Sequence, residues 1–202
     1  MKKSSEKNKW EDHYSRQARK EGYPARSVYK LKEMQEKYRL IKKGSRVLDL
    51  GSAPGSWLVF AAQITGGRGQ VTGIDLKPVK TRLPDHVRVL TGDILDLSEE
   101  SQVLIGKNYH VVISDMAPAT TGRKDLDAIR SLELCEGAWE IARQTLVPKG
   151  SFVCKIFQGE DFKSFSDKVR ASFMKYKIFK PKSTRKASRE VYMIGMGIKE
   201  GV

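Results

Sequence analysis

The sequence is poor in cysteine and histidine, and it contains no long apolar run. Cys135 and Cys154 are too few for a disulfide framework and lie in apolar surroundings, so we expect buried thiols in a reducing cytosol. His13, His86 and His110 share no ligand spacing, and no metal site is expected. No stretch of about 20 apolar residues could form a transmembrane helix. The charged N-terminal residues lack the apolar centre of a secretory signal, which favours a cytoplasmic protein.

The net charge of +14 is concentrated in two segments of this 202-residue chain. Residues 1–43 hold 14 Lys and Arg against 6 Asp and Glu, and residues 155–189 hold 11 against 3. Residues 44–154 are nearly neutral, with 12 against 13. Solvated lysine faces are one explanation. Two basic segments around a neutral middle fit an RNA phosphate backbone better, because cationic contacts there release counterions.

Short apolar runs alternate with helical patterns along the chain, which predicts a doubly wound α/β sheet in one domain. The predicted strands cover residues 46–50, 70–74, 87–90, 110–114, 151–157, 176–180 and 191–197. The predicted helices cover residues 9–20, 27–39 with Ser27 as cap, 56–64, 124–146 and 160–173. A turn is predicted at residues 148–150, and the last strands are expected to pair antiparallel. We expect residues 1–43 to form a basic extension with RNA-facing helices, and residues 44–202 to form the catalytic part of one compact domain.

A glycine-rich turn follows the first predicted strand, at the position where open α/β sheets bind ligands. Gly51 permits close approach of a ligand to the backbone, Pro54 fixes the bend, and Gly55 leaves space beside the helix start. The glycine spacing is not the Gly-x-Gly-x-x-Gly pattern of dinucleotide-binding proteins. A purely structural strand-turn-helix is the alternative interpretation.

Aspartates follow three successive predicted strands. Asp75 after the second strand suits ribose hydroxyls, Asp93 after the third suits an adenine amino group, and Asp115 after the fourth suits a cationic methionine moiety. A single aspartate in such a place is more often a turn or cap residue. Three in register indicate a nucleoside-containing cofactor.

Four further segments carry a family resemblance: Ser-Val-Tyr-Lys30-Leu, Ser-Asp115-Met-Ala-Pro, Cys-Lys155-Ile-Phe and Ser-Arg-Glu190-Val-Tyr. With the turn from Asp49 to Trp57, they make residues 10–198 resemble the FtsJ-like RNA ribose 2′-O-methyltransferases. The resemblance implies a Rossmann-like S-adenosylmethionine-dependent methyltransferase fold, with a seven-stranded, mostly parallel sheet and an antiparallel last strand. It implies a catalytic tetrad of Lys30, Asp115, Lys155 and Glu190. It implies S-adenosylmethionine binding by Gly55, Trp57, Asp75, Asp93 and Asp115. Ser56 and Ala119 depart from the family pattern, which usually has glycine and, in bacterial members, often a polar residue there.

The tetrad residues also have simpler interpretations. Lys155 lies in an apolar strand that would favour its neutral amine, the form able to accept a hydroxyl proton, but it could instead snorkel at the sheet edge. Lys30 alone suggests a surface charge or a phosphate contact, and Glu190 could pair with Arg189. The match at all four positions favours catalysis.

The resemblance further implies the acceptor, a uridine ribose in large-subunit (23S) ribosomal RNA, methylated during late ribosome assembly. A tRNA ribose methyltransferase of the same family and a non-catalytic RNA-binding assembly factor are the alternatives. We expect the large ribosomal subunit as partner, no membrane, and a monomer without an obligatory protein partner.

Overall fold

Seven β-rich segments pair into one sheet in the computed structural model, which describes residues 13–201. The strands are β1 (Arg46–Leu50), β2 (Gln70–Asp75), β3 (Val87–Thr91), β4 (Tyr109–Ser114), β5 (Leu146–Phe157), β6 (Phe173–Phe179) and β7 (Glu190–Ile198). Their spatial order is β3-β2-β1-β4-β5-β7-β6. The first five strands are parallel, whereas β7 pairs antiparallel with both β5 and β6. The predicted seven-stranded, mostly parallel sheet with an antiparallel last strand is confirmed.

Helices cover both faces of this sheet. They are α1 (residues 13–20), α2 (Val28–Tyr38), α3 (Ser56–Thr65), α4 (Glu99–Ile105), α5 (Lys124–Thr145) and α6 (Phe162–Ala171). The start of the first predicted helix, at residues 9–12, lies outside the described residues. Helix α4 was not predicted, although Ser98 caps it by accepting a hydrogen bond from the Ser101 amide at 3.1 Å.

The two faces of the sheet bury different side chains, because successive residues of a strand point to opposite sides. On β4, Val111 and Ile113 pack towards α2 and α3, while Val112 packs towards α5 and α6. A strand that is apolar on both sides is typical of a parallel sheet covered by helices.

Helix α2 is part of this core. Leu31 and Met34 are fully buried in the same cluster as Leu58 of α3 and Val47 of β1. Tyr23 and Tyr29 are buried in a smaller cluster against α3, so packing accounts for both rings. Residues 28–41 therefore share a hydrophobic core with the sheet that follows them.

Three local predictions were wrong. Residues 148–150 do not form a turn before the fifth strand but belong to β5, which begins at Leu146. Tyr109 pairs with Leu146 and Val111 with Ser151, so the intervening residues of β5 form a bulge. Helix α6 ends at Ala171, because Phe173 already pairs with Ile198 in the sheet. Ser27 stands at the N-cap of α2 but its side chain makes no capping hydrogen bond with a described residue.

Among residues 13–201, no helix combines the length and the apolar character needed to cross a membrane.

Candidate active site

A cleft of about 420 Å³ opens where the parallel strands end. It is formed by the turns that follow β1, β2, β3 and β4, and its size is within the usual range of ligand pockets. Residues lining it include Gly51, Asp75, Asp93, Asp115, Met116 and Ala119. Parallel strands place their carboxyl ends at one edge of a sheet, which explains why residues distant in sequence meet here.

Gly51 lines this cleft, whereas Gly55, at the start of α3, lies outside its lining. Gly51 has a φ of 78°, and a side chain there would overlap Met116. Gly55 has a φ of 110° at the N-cap of α3, and a Cβ would lie 2.9 Å from Val79 Cγ1. Both positions need glycine on conformational grounds as well as steric ones. The residues of the first turn of α3, Ser56 to Leu58, are buried and lie outside the lining of the cleft.

Asp75 and Asp93 stand at the cleft, as predicted, and each also orders its own turn. Asp75 accepts hydrogen bonds from the Ala53 and Lys77 amides, both at 2.8 Å. Asp93 accepts one from the Leu95 amide at 2.9 Å. A carboxylate oxygen has two acceptor positions, so both side chains retain capacity for a ligand.

Three predicted or flanking residues of the first turn do not line the cleft: Pro54, Ser56 and Trp57. The Trp57 indole is buried away from the cleft, where it donates to the Ser27 carbonyl at 2.9 Å. Pro54 accepts a hydrogen bond from the Thr81 hydroxyl at 2.9 Å and lies outside the cleft lining.

The Ser56 side chain supports the start of α3. Its hydroxyl accepts from the Ala25 amide at 2.7 Å and is 3.1 Å from the Ala25 carbonyl, to which it donates. The departure from the glycine of the family pattern thus ties α3 to the segment between α1 and α2.

Lys155 and Asp115 form the centre of the site. The Lys155 Nζ lies 3.0 Å from Asp115 Oδ1 and donates to the Asp115 carbonyl at 2.5 Å. Lys155 is only 6% exposed, so its charge is compensated inside the protein. Burial would raise the pKa of Asp115, but the ammonium groups of Lys155 and Lys30, with a hydrogen bond from Tyr192, outweigh it and lower this pKa.

Lys30 and Glu190 form a second pair beside the first. The Lys30 Nζ lies 2.5 Å from Glu190 Oε1, which also accepts from the Thr184 hydroxyl at 3.1 Å. Glu190 reaches the site because β7 runs antiparallel to β5. Glu190 is the first residue of β7 and pairs with Phe157, the last residue of β5. The structure therefore brings all four residues of the predicted tetrad together.

Tyr192 joins the two pairs. Its hydroxyl donates to Asp115 Oδ1 at 2.5 Å, and its ring lies below the Lys30 Nζ, 5.9 Å from the centroid. Burial and the carboxylates of Asp115 and Glu190 raise the pKa of Tyr192 well above its usual value. Its contacts were not predicted, yet a residue two positions after Glu190 in a strand lies on the same face.

Asp49 lies beneath the cleft in β1. It is buried, and its Oδ2 has no hydrogen-bond partner among the described residues. Burial first, and then the carboxylates of Asp115 and Asp75, raise its pKa well above the usual value. Burial and the neighbouring carboxylates thus make a negative charge on Asp49 less favourable than on an exposed aspartate.

The two basic segments of the sequence meet next to the tetrad. The connection between β6 and β7, residues 180–189, packs against α2 and the segment before it. Arg26 donates to the Ser183 carbonyl at 2.9 Å, and Glu33 accepts from the Lys182 and Ser183 amides at 2.6 and 2.9 Å. Lys2, Lys3, Lys7 and Lys9 of the first basic segment lie outside the described residues.

The sheet order, the cleft at its carboxyl edge and the adjoining lysine–carboxylate pairs are those of a Rossmann-like methyltransferase. The chain belongs to the FtsJ-like methyltransferase family, which its residues 23–198 match.

Its relatives match nearly full length. A protein from Desulforapulum autotrophicum named ribosomal RNA large subunit methyltransferase E is 56% identical over 193 residues, 96% of this chain and 95% of that one. One of the same name from Desulfatibacillum aliphaticivorans is 51% identical over 199 residues, 98% and 96% of the two chains. The crystal structure of a ribosomal RNA methyltransferase from Plasmodium falciparum has a TM-score of 0.75 at 25% identity, covering 87% of this chain and 98% of that one.

Proposed function

We propose that this enzyme transfers a methyl group from S-adenosylmethionine to the ribose 2′-hydroxyl of a uridine in large-subunit (23S) ribosomal RNA. The observation that carries the proposal is the convergence of Lys30, Asp115, Lys155 and Glu190 beside a ligand-sized cleft. The names of the relatives favour ribosomal RNA over the tRNA acceptor of the rival interpretation. A non-catalytic RNA-binding factor would have no need of a buried lysine at this position.

The cleft residues would hold the methyl donor. Asp75 would bind the ribose hydroxyls, Asp93 the adenine amino group, and Asp115 the cationic methionine moiety. The backbone at Gly51 would approach the donor closely, since this residue lines the cleft and carries no side chain, and we assign Gly55 to the same donor from the family resemblance. S-adenosylmethionine would supply an electrophilic methyl group, so the protein needs to align the acceptor and manage one proton.

The tetrad would position the acceptor and remove that proton. We assign Lys155 to accept the proton of the 2′-hydroxyl, a role that requires its ammonium group to release a proton to solvent beforehand. Asp115 would orient Lys155 through the contacts already present. Lys30 and Glu190 would hold the ribose in line with the donor, because their salt bridge lies beside the same carboxylate.

The RNA would bind over the basic surface formed by α2 and residues 180–189. Both segments carry excess positive charge and lie beside Lys30 and Glu190. We propose that residues 1–43 serve as the RNA-facing part of the same compact domain. This arrangement would bring the acceptor strand to the tetrad from the side opposite to β3.

The test is incubation of the enzyme with labelled S-adenosylmethionine and, separately, large ribosomal subunits, protein-free large-subunit RNA and tRNA. We expect label in the large-subunit RNA, at a nucleotide whose 3′ phosphodiester bond resists alkaline hydrolysis. Lys155→Ala should give none. Lys107→Ala is the matched control. This exposed lysine precedes the amino end of β4, whereas the tetrad lies at the carboxyl ends of the strands. Label in tRNA alone, or on a base, would contradict the proposal.

A further inference from the structure

Residues 180–189 are unusual in being both highly basic and well ordered by buried contacts. They contain Lys180, Lys182, Arg185, Lys186 and Arg189, whose charges repel one another. Yet Ser183 is 1% exposed and Thr184 is 4% exposed. Something must therefore fix this connection against α2.

Glu33 provides that anchor. Both of its carboxylate oxygens are used: Oε2 accepts from the Lys182 amide at 2.6 Å, and Oε1 from the Ser183 amide at 2.9 Å. Hydrogen bonds from two successive amides to one carboxylate are charge-assisted and geometrically specific. They define the path of the backbone at the residue before Thr184.

The anchor leads directly to the tetrad. Thr184 donates to Glu190 Oε1 at 3.1 Å, and the same oxygen meets the Lys30 Nζ at 2.5 Å. Lys30 and Glu33 are three residues apart on α2 and so lie on one face of the helix. Hydrogen bonds and one salt bridge thus connect two residues of α2 through the 180–189 connection and β7. In order, the residues are Glu33, Ser183, Thr184, Glu190 and Lys30.

We infer that Glu33 is a positioning residue for methyl transfer. It fixes the 180–189 connection so that Thr184 holds Glu190, and Glu190 holds Lys30, in the arrangement the reaction needs. This inference rests on the proposed function, since it concerns turnover by the same tetrad. Glu33 itself lies outside the donor cleft, so donor binding should not depend on it.

The variants are Glu33→Gln and Glu33→Ala, with Glu36→Gln as the matched control. Glu36 is exposed on the same helix and lines the same groove as Lys180 and Lys182, but no hydrogen bond or ion pair ties its side chain to the described 180–189 connection. Its substitution therefore makes the same charge change on this surface and leaves the anchor in place. We expect kcat to fall by about tenfold in Glu33→Gln, because small misplacements of reacting groups are costly. The fall should be larger in Glu33→Ala. The dissociation constant for S-adenosylmethionine should stay within twofold of wild type. Any change in the KM for RNA that comes from the lost negative charge should be the same in Glu33→Gln and Glu36→Gln.

Amide hydrogen exchange supplies the second readout. Peptides covering residues 180–189 should exchange faster in both Glu33 variants, while those covering α3 and β1 should be unchanged. A wild-type kcat in Glu33→Ala would overturn the inference, as would an equal loss in Glu36→Gln. Global unfolding of both Glu33 variants would assign the residue to the fold and also overturn it. Failure of the wild-type enzyme to methylate any RNA would instead contradict the proposed function.

Discussion

Lys155 is the residue at which local environment and proposed chemistry are most tightly linked. Its Nζ contacts both a carboxylate oxygen and the carbonyl of Asp115. We expect Lys155→Ala to abolish methyl transfer and Lys155→Arg not to restore it, because a guanidinium stays protonated and cannot accept the hydroxyl proton. Single-turnover assays at saturating RNA and donor measure this directly. Near-native turnover by Lys155→Arg would mean that the residue supplies only positive charge.

Tyr192 tunes the charge of Asp115. The lowered pKa of Asp115 keeps its carboxylate charged, and activity that needs this charge is lost as the pH falls through that pKa. Tyr192→Phe removes one hydrogen bond that lowers the pKa, so the pKa of Asp115 should rise. We expect the titration of the Asp115 carboxyl, followed directly by its carbon NMR shift, to move to higher pH in Tyr192→Phe. The rate profile is not the readout, because it also depends on the protonation of Lys155.

The matched control for this shift is Tyr176→Phe, which removes a hydroxyl bonded to Ser166 at 2.8 Å on the α6 side of the sheet. The Asp115 titration in this variant should coincide with that of wild type. An unchanged Asp115 titration in Tyr192→Phe would show that the Asp115–Tyr192 bond does not lower the pKa of Asp115.

At the residue scale, sequence reasoning succeeded where side chains project from strand ends. Asp75, Asp93 and Asp115 could be placed together because parallel strands end at one edge. It could not place the Trp57 indole, since a helix residue next to a ligand turn can face either the ligand or the core. Glu33 and Thr184 were also missed, because their contacts depend on the path of an irregular connection.

The Ser56 hydroxyl fixes the start of helix α3 by hydrogen bonds that a glycine could not make. Ser56→Ala removes both hydrogen bonds to Ala25 and leaves that amide without its acceptor. We expect the free energy of unfolding to fall by about 1–3 kcal/mol. Ser164→Ala is the control, because this exposed hydroxyl bonds only to the nearby Asp161 carbonyl at 3.0 Å, and its loss should cost about 0.5 kcal/mol or less.

Urea denaturation of both variants measures the difference. Equal stability of Ser56→Ala and wild type would show that water replaces the serine hydroxyl at no cost.

Elements with a strong pattern were predicted closely, and elements that depend on tertiary pairing were not. Strand β1 was predicted at its observed bounds because its apolar run lies between charged and glycine residues. The bulge in β5 was missed since Pro148 and Gly150 are typical of turns, and only pairing with β4 keeps the strand going. Likewise, β7 lies between β5 and β6 in the sheet, and the sequence of a strand alone does not show which strands it pairs with.

For the whole molecule, the distribution of charge predicts how RNA binding should respond to salt. The two basic segments lie side by side, so affinity for RNA should fall steeply as salt rises, by a logarithmic slope of about 0.7–0.9 per phosphate contact. Lys182→Ala and Lys186→Ala should each reduce that slope, whereas Lys107→Ala should not. Filter binding across a salt series measures the slopes. Donor binding, followed by calorimetry, should barely change, and RNA affinity independent of salt would contradict this account.

The cleft and the tetrad occupy different parts of the sheet, both at the carboxyl ends of its strands. The donor cleft spans the ends of β3, β2, β1 and β4, while the tetrad spans β4, β5 and β7, and Asp115 is the side chain common to both. Under the proposed function, substitutions around β6, β7 and residues 180–189 would alter recognition of the acceptor without changing the cleft assigned to the donor. The choice of RNA could then change on one side of the scaffold while the supply of methyl groups on the other side stays the same.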